Sequence, residues 1–212
     1  MTFIYRLTWI FLRIFFSGYF RWRVFNAGRV AQTGPVILAA NHASFIDPPL
    51  IGTSLPREIN FLARESLFHF SLVGWLLRSL HAVPVDRDGG GARGLKRILE
   101  RLLAGGGIVL FPEGTRTTDG HLQPAHSGIG LIVLKSAAPV VPVRVFGTFE
   151  AYGRHLKFPR PYHVAVKYGE LMNFEKQRAE AKICDKARLR EMYQEVADEI
   201  MAAIAKLEAK AD

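Results

Sequence analysis

Cysteine is nearly absent: Cys184 is the single one in 212 residues. No intramolecular disulfide can form, and no cluster of thiolates can hold zinc. The seven histidines show no H-E-x-x-H or comparable spacing, so no metal site is expected. Gly-Lys-Ser/Thr follows neither Gly89–Gly91 nor Gly105–Gly107, which excludes a P-loop. Neither Ser44 nor Ser127 lies in G-x-S-x-G, so a serine-hydrolase elbow has no support. Negative charge is in short supply, 19 acidic side chains against 28 basic ones. The resulting net charge of +9 points to an anionic partner. Lys-rich runs are few, Phe occurs fifteen times, and no zinc-finger or aromatic RNA-binding signature is found. A phospholipid surface is therefore expected, and nucleic acid is not.

A long charge-free apolar run is also missing. Phe3 to Phe20 is mostly apolar but contains Arg6 and Arg13. Each arginine costs roughly 2.5–3.5 kcal/mol at a bilayer centre, and each Leu, Ile, Phe or Val returns about 0.3–0.6 kcal/mol. Ten such side chains nearly cancel the two arginines. Arg6 and Arg13 are two turns apart and share a face with Thr2 and Ser17. Tyr5, Trp9, Tyr19 and Trp22 favour an interface, and Arg21 and Arg23 follow. The reading is a membrane-interface helix within residues 1–28 that lies in the headgroup plane, with a helix packed on the domain's own core as the alternative. No signal-peptide cleavage site is expected. Residues 29–212 are expected to form one domain, since hydrophobic residues make up 49% of the chain.

Strand and helix signals alternate along the chain. Short apolar runs predict strands at Val36–Ala40, Ile59–Ala63, Ala82–Val85, Ile108–Phe111, Val140–Val145 and His163–Tyr168. Helical periodicity fits Ser66–Leu80, Ala92–Leu103, Gly128–Ala137 and about Lys186–Leu207. Phe68–Leu77, apolar nearly all round, reads as a core helix, with an acyl-chain groove or a bilayer-facing surface as the alternative. The alternation predicts a single α/β domain with a mixed, largely parallel sheet flanked by helices. Ligands of such sheets bind beyond the carboxyl ends of the strands. Three polar clusters stand there: His42 after Ala40, Asp86-Arg87 after Val85, and Glu113 to Arg116 after Phe111.

Each cluster has a chemical and a plain reading. His42 and Asp47, five positions apart, lie about 140° apart on a continuous helix and meet only if the segment turns. Pro48 favours a turn that ends at Asp47. Asp47 then fixes the tautomer of His42 and leaves the other nitrogen to accept a proton. Alternatively Asp47 only caps a helix and His42 is a loop histidine. Arg116, on a turn relaxed by Gly114, offers a planar fork of donors for phosphate, or else makes a surface pair with Glu113. Arg87 is a second phosphate candidate, or a solvated loop charge.

Four blocks in order resemble the PlsC-type glycerolipid (lysophospholipid) acyltransferases. Asn41, His42 and Asp47 match N-H-x-x-x-x-D, and Phe111 to Arg116 match F-P-E-G-T-R in full. Val83-Pro84-Val85-Asp86-Arg87 resembles the family's block ending in arginine, and Val141-Pro142-Val143 its last strand. The similarity covers roughly residues 35–170. The resemblance implies His42 as general base, Asp47 as its support, and Glu113, Gly114, Thr115 and Arg116 with Arg87 as the acceptor's phosphate site. It implies transfer from acyl-CoA or acyl-carrier protein to a lysophospholipid, in the first place 1-acyl-glycerol-3-phosphate, with no acyl-enzyme and no cofactor. It places the protein at the cytoplasmic face of the cell membrane, peripheral or monotopic. One departure bears on the acceptor: where many relatives have a segment like P-F-K-K-G-A, this chain has Pro124-Ala125-His126-Ser127-Gly128-Ile129. Another lysophospholipid or an amino-acid-derived lysolipid is therefore an alternative acceptor. A thioester hydrolase and a non-catalytic membrane-binding module are the rival classes.

Overall fold

The computed structural model describes residues 1–85 and 92–210, so Arg87 lies outside the described residues. Helix α1 (Phe3–Tyr19) leads into β1 (Arg23–Phe25), β2 (Val36–Ala40) and α2 (Asp47–Ser54). Next come β3 (Ile59–Arg64), a 3-10 turn (Glu65–His69), α3 (Ser71–Ser79) and β4 (Ala82–Val85). The chain continues through α4 (Ala92–Leu103), β5 (Gly107–Leu110), α5 (Gly128–Lys135) and β6 (Val140–Phe146). It closes with α6 (Thr148–Tyr152), β7 (Ala165–Tyr168), α7 (Glu175–Glu180) and α8 (Lys186–Ala205).

The seven strands form one sheet in the order β1-β7-β6-β2-β5-β3-β4. The five from β6 to β4 are mutually parallel. β7 runs antiparallel to β6, and β1 parallels β7. The sheet is thus mixed and largely parallel, as expected. Its centre explains the uninterrupted apolar run of β2, which is buried on both faces. Leu38 and Ala40 join a core layer with Phe16, Phe20, Leu50, Ile51 and Leu55. Ile37 and Ala39 face the opposite layer with Ile98, Ile129, Val133, Val196 and Ile200. The unforeseen β1 pairs with β7, so the expected anchoring segment contributes a strand to the sheet.

Helix α1 packs one side on the domain's own core and leaves an apolar side exposed. Tyr5 and Phe16, with Phe20 at its end, are buried in the domain. Phe3, Leu7, Phe11 and Ile14 recur at helical spacing on the other side and are exposed. Arg13 is not on a water-facing stripe: it donates to Thr53 O at 3.0 Å and its guanidinium lies over Trp9 and Trp22. Among the described residues, no helix is long and apolar enough to cross a membrane.

The core-helix reading of Phe68–Leu77 is corrected. The predicted helix is interrupted at Phe70, whose backbone is extended. Phe68 and Gly74 are buried, while Phe70, Leu72, Val73, Trp75 and Leu76 are exposed. An edge position explains this, because α3 lies beside β4, the last strand of the sheet.

Candidate active site

Strand β2 ends at Ala40, and the next six residues form a turn rather than a helix. Asn41 locks its start, accepting from Val145 N at 2.8 Å and donating to Val145 O at 3.3 Å. Pro48 and Pro49 occupy the first turn of α2, where their missing N–H groups are not needed. Asp47, fully buried, does not cap that helix but points back into the turn. Its Oδ2 accepts from Ala43 N and Ser44 N, both at 2.7 Å, and lies 2.9 Å from His42 Nδ1. Two backbone donors and the imidazole nitrogen converge on one oxygen. With Nδ1–H donating to Asp47, the lone pair of the imidazole is on Nε2. The ring stacks on Phe111 with centroids 3.9 Å apart.

The second motif leaves β5, which pairs with β2 in parallel register, Ala39 opposite Leu110. Adjacent parallel strands thus deliver both motifs to the same end of the sheet. Glu113 was expected at the phosphate; its side chain is 2% exposed, and Oε1 accepts His42 N at 3.1 Å. Burial pushes the Glu113 carboxyl up to about 7, against the backbone donors His42 N and Gln123 N, and the nearby Asp47 and Asp119 charges add to the rise. Thr117 N reaches His42 O at 2.8 Å. The two motifs are therefore joined through the backbone of the histidine itself.

Gly114 has a φ of 66°, which favours glycine, and a Cβ there would stand 3.0 Å from His126 Cδ2, a tight approach to that side chain. The turn leaves Thr115 exposed and Arg116 half-buried, its guanidinium 3.3 Å from the Phe45 ring centroid. His42, Asp47, Glu113, Gly114, Thr115 and Arg116 are brought together, while β4, which leads to Arg87, is separated from β5 by β3.

Sequence reasoning missed the side chains that join the turns. Phe45 lies inside the first motif, and an aromatic beside a histidine turn was a usable signal. Tyr152 and Arg154 carried no local signal. Ser44 Oγ donates to Tyr152 O at 2.6 Å, Phe45 and Tyr152 pack with centroids 5.5 Å apart, and Arg154 donates to Thr115 Oγ1. Among the described residues no group of His, Cys, Asp and Glu is placed to hold a metal ion.

The sequence profile of the acyltransferase family matches residues 21–146, which include both motifs. A chloroplastic 1-acyl-sn-glycerol-3-phosphate acyltransferase of Brassica napus is 34% identical over 116 residues, 54% of this chain and 33% of that protein. The Bacillus subtilis 1-acyl-sn-glycerol-3-phosphate acyltransferase is 30% identical over 126 residues, 59% of this chain and 62% of that one. A lyso-ornithine lipid O-acyltransferase of Pseudomonas aeruginosa is 31% identical over 116 residues, 54% of this chain and 44% of that one. The chain thus spans between 33% and 62% of the length of these curated relatives. The crystal structure of PlsC from Thermotoga maritima, a 1-acyl-sn-glycerophosphate acyltransferase, superposes with a TM-score of 0.74 at 26% identity, over 97% of this chain and 81% of that one. Profile and fold agree: this chain belongs to the acyltransferase family.

Proposed function

We propose that the protein transfers a fatty acyl group from acyl-CoA or acyl-carrier protein to the free hydroxyl of a lysophospholipid, with 1-acyl-glycerol-3-phosphate as acceptor and phosphatidic acid as product. The observation that carries this reading is the His42–Asp47 pair at 2.9 Å, held by its own backbone to the turn that bears Arg116. Nε2 of His42 accepts the proton of the acceptor hydroxyl as its oxygen attacks the thioester carbonyl. The tetrahedral intermediate expels the thiolate, and the imidazolium returns the proton to it. Asp47 stabilises the transient imidazolium and fixes the ring. Arg116 and Thr115 hold the acceptor phosphate, with Arg87 as a further cation, and Gly114 gives their turn its shape. Glu113 acts on the other side, positioning His42 through its N–H.

Docking on an anionic membrane surface from the cytoplasmic side belongs to the same proposal. Exposed Phe11 and Ile14 of α1 and exposed Leu72 and Trp75 of α3 enter the interface, and the excess positive charge favours acidic lipids. A second acceptor is favoured by a specific observation: the Pseudomonas relative is named for a lyso-ornithine lipid, and this chain has His126 and Ser127 where many family members have lysines.

The test is thiol release from palmitoyl-CoA by the purified protein, with and without lysophosphatidic acid. Acceptor-dependent release is expected. Equal release without acceptor would mean hydrolysis, and no release with either acceptor would contradict the proposal.

A further inference from the structure

From the wall that joins the two turns, we infer that Arg154 is a specificity-determining residue which binds the anionic headgroup of the acceptor together with Arg116. The inference deepens the proposed function and rests on it. Arg154 follows α6 by two residues, far from both motifs in sequence, yet its Nη2 donates to the Thr115 hydroxyl at the tip of the second turn. Thr115 and Arg154 are both exposed, so the pair faces solvent rather than bracing the core.

The segment that carries Arg154 is fixed to the first turn as well. Tyr152 accepts from Ser44 Oγ through its carbonyl, and its ring packs on Phe45. The other edge of this wall is Arg116, stacked over the same Phe45. Two guanidinium groups are thereby placed around one short turn beside His42. A planar guanidinium presents several donors, so contact with the threonine hydroxyl leaves Arg154 others for a phosphate monoester. The turn after Pro124 carries no lysine here: His126 and Ser127 stand at the two positions, and the edge of the His126 ring lies against Gly114. Tyr19 OH donates to Pro159 O at 3.0 Å, which ties the rest of this loop to α1. The loop that begins at Arg154 is thereby fastened to the end of α1.

The experiment compares wild type with R154Q and R154K, measuring kcat and KM for lysophosphatidic acid and KM for palmitoyl-CoA. Loss of a charge-assisted contact to an anion is expected to raise the acceptor KM of R154Q about tenfold or more. Its kcat and donor KM are expected to stay within about twofold, and R154K to recover part of the loss. An acceptor KM of R154Q within about twofold of an active wild type would overturn the assignment of Arg154 alone. A fall in kcat with a matching rise in donor KM would also overturn it, because that pattern marks a prop for the turn. A folded wild type that releases no thiol with lysophosphatidic acid would overturn the proposed acceptor, and the role of Arg154 with it.

Discussion

The polar groups proposed to position the base and those proposed to bind the acceptor differ in burial. Asp47 and Glu113 are buried and each turns one oxygen, Oδ2 and Oε1, to the His42 turn, whereas Thr115 is exposed and Arg116 half-buried. His42→Ala should lower acyl transfer by about 10²-fold or more, the scale of general-base catalysis, with little change in thermal stability. Asp47→Asn should reduce kcat steeply as well, because an amide oxygen supports the imidazolium far less; near-normal kcat in either variant would remove that residue from the mechanism. Glu113 gives a test in stability. Its carboxyl titrates near 4.5 when unfolded and at about 7 when folded, so between these values the native state retains a proton that the unfolded chain releases. The stability this confers is full below about pH 4.5 and is lost as pH rises through about 7. Melting temperature should therefore fall more steeply between about pH 5 and 8 in wild type than in Glu113→Gln. Parallel profiles would contradict the burial account. The His42–Asp47 spacing was legible because Pro48 forces a turn, but Glu113 was read with the phosphate because nothing in F-P-E-G-T-R tells that its carboxylate folds inward.

At the scale of elements, α1 has two apolar sides, one buried and one exposed. Phe16, 2% exposed, packs with Phe20 and Trp22, whereas Phe11 and Ile14 are 65% and 69% exposed. Phe16→Ala should cost about 3–5 kcal/mol of stability, as truncation of a buried aromatic does. Replacing both Phe11 and Ile14 by Ser should leave the melting temperature nearly unchanged and weaken sedimentation with anionic vesicles. Unaltered vesicle binding would move the membrane surface to Phe70–Leu76. Amphipathic analysis offered interface or core for this helix because it assumes one apolar face, and α1 has two. The longer buried strands were readable as apolar runs. β1 and α6 were not, since each is too short to show a period and depends on partners distant in sequence.

At the scale of the molecule, the parallel pairing of β2 with β5 is what makes two distant motifs one site. Parallel central strands could be expected from the alternating pattern, and with them the meeting of His42 and Arg116. The closing wall of Tyr152 and Arg154 arrives after β6 by a tertiary route that no local signal marks. The family assignment and the geometry support the proposed reaction, in which a hydroxyl activated by His42 would take an acyl group directly from a thioester. The most direct measurement is phosphatidic acid formation by mass, from palmitoyl-CoA and lysophosphatidic acid, with wild type and His42→Ala side by side. The expected result is one phosphatidic acid per thiol released by the wild type and almost none by the variant. Equal product from both proteins, or thiol released by wild type with no acylated lipid, would contradict it.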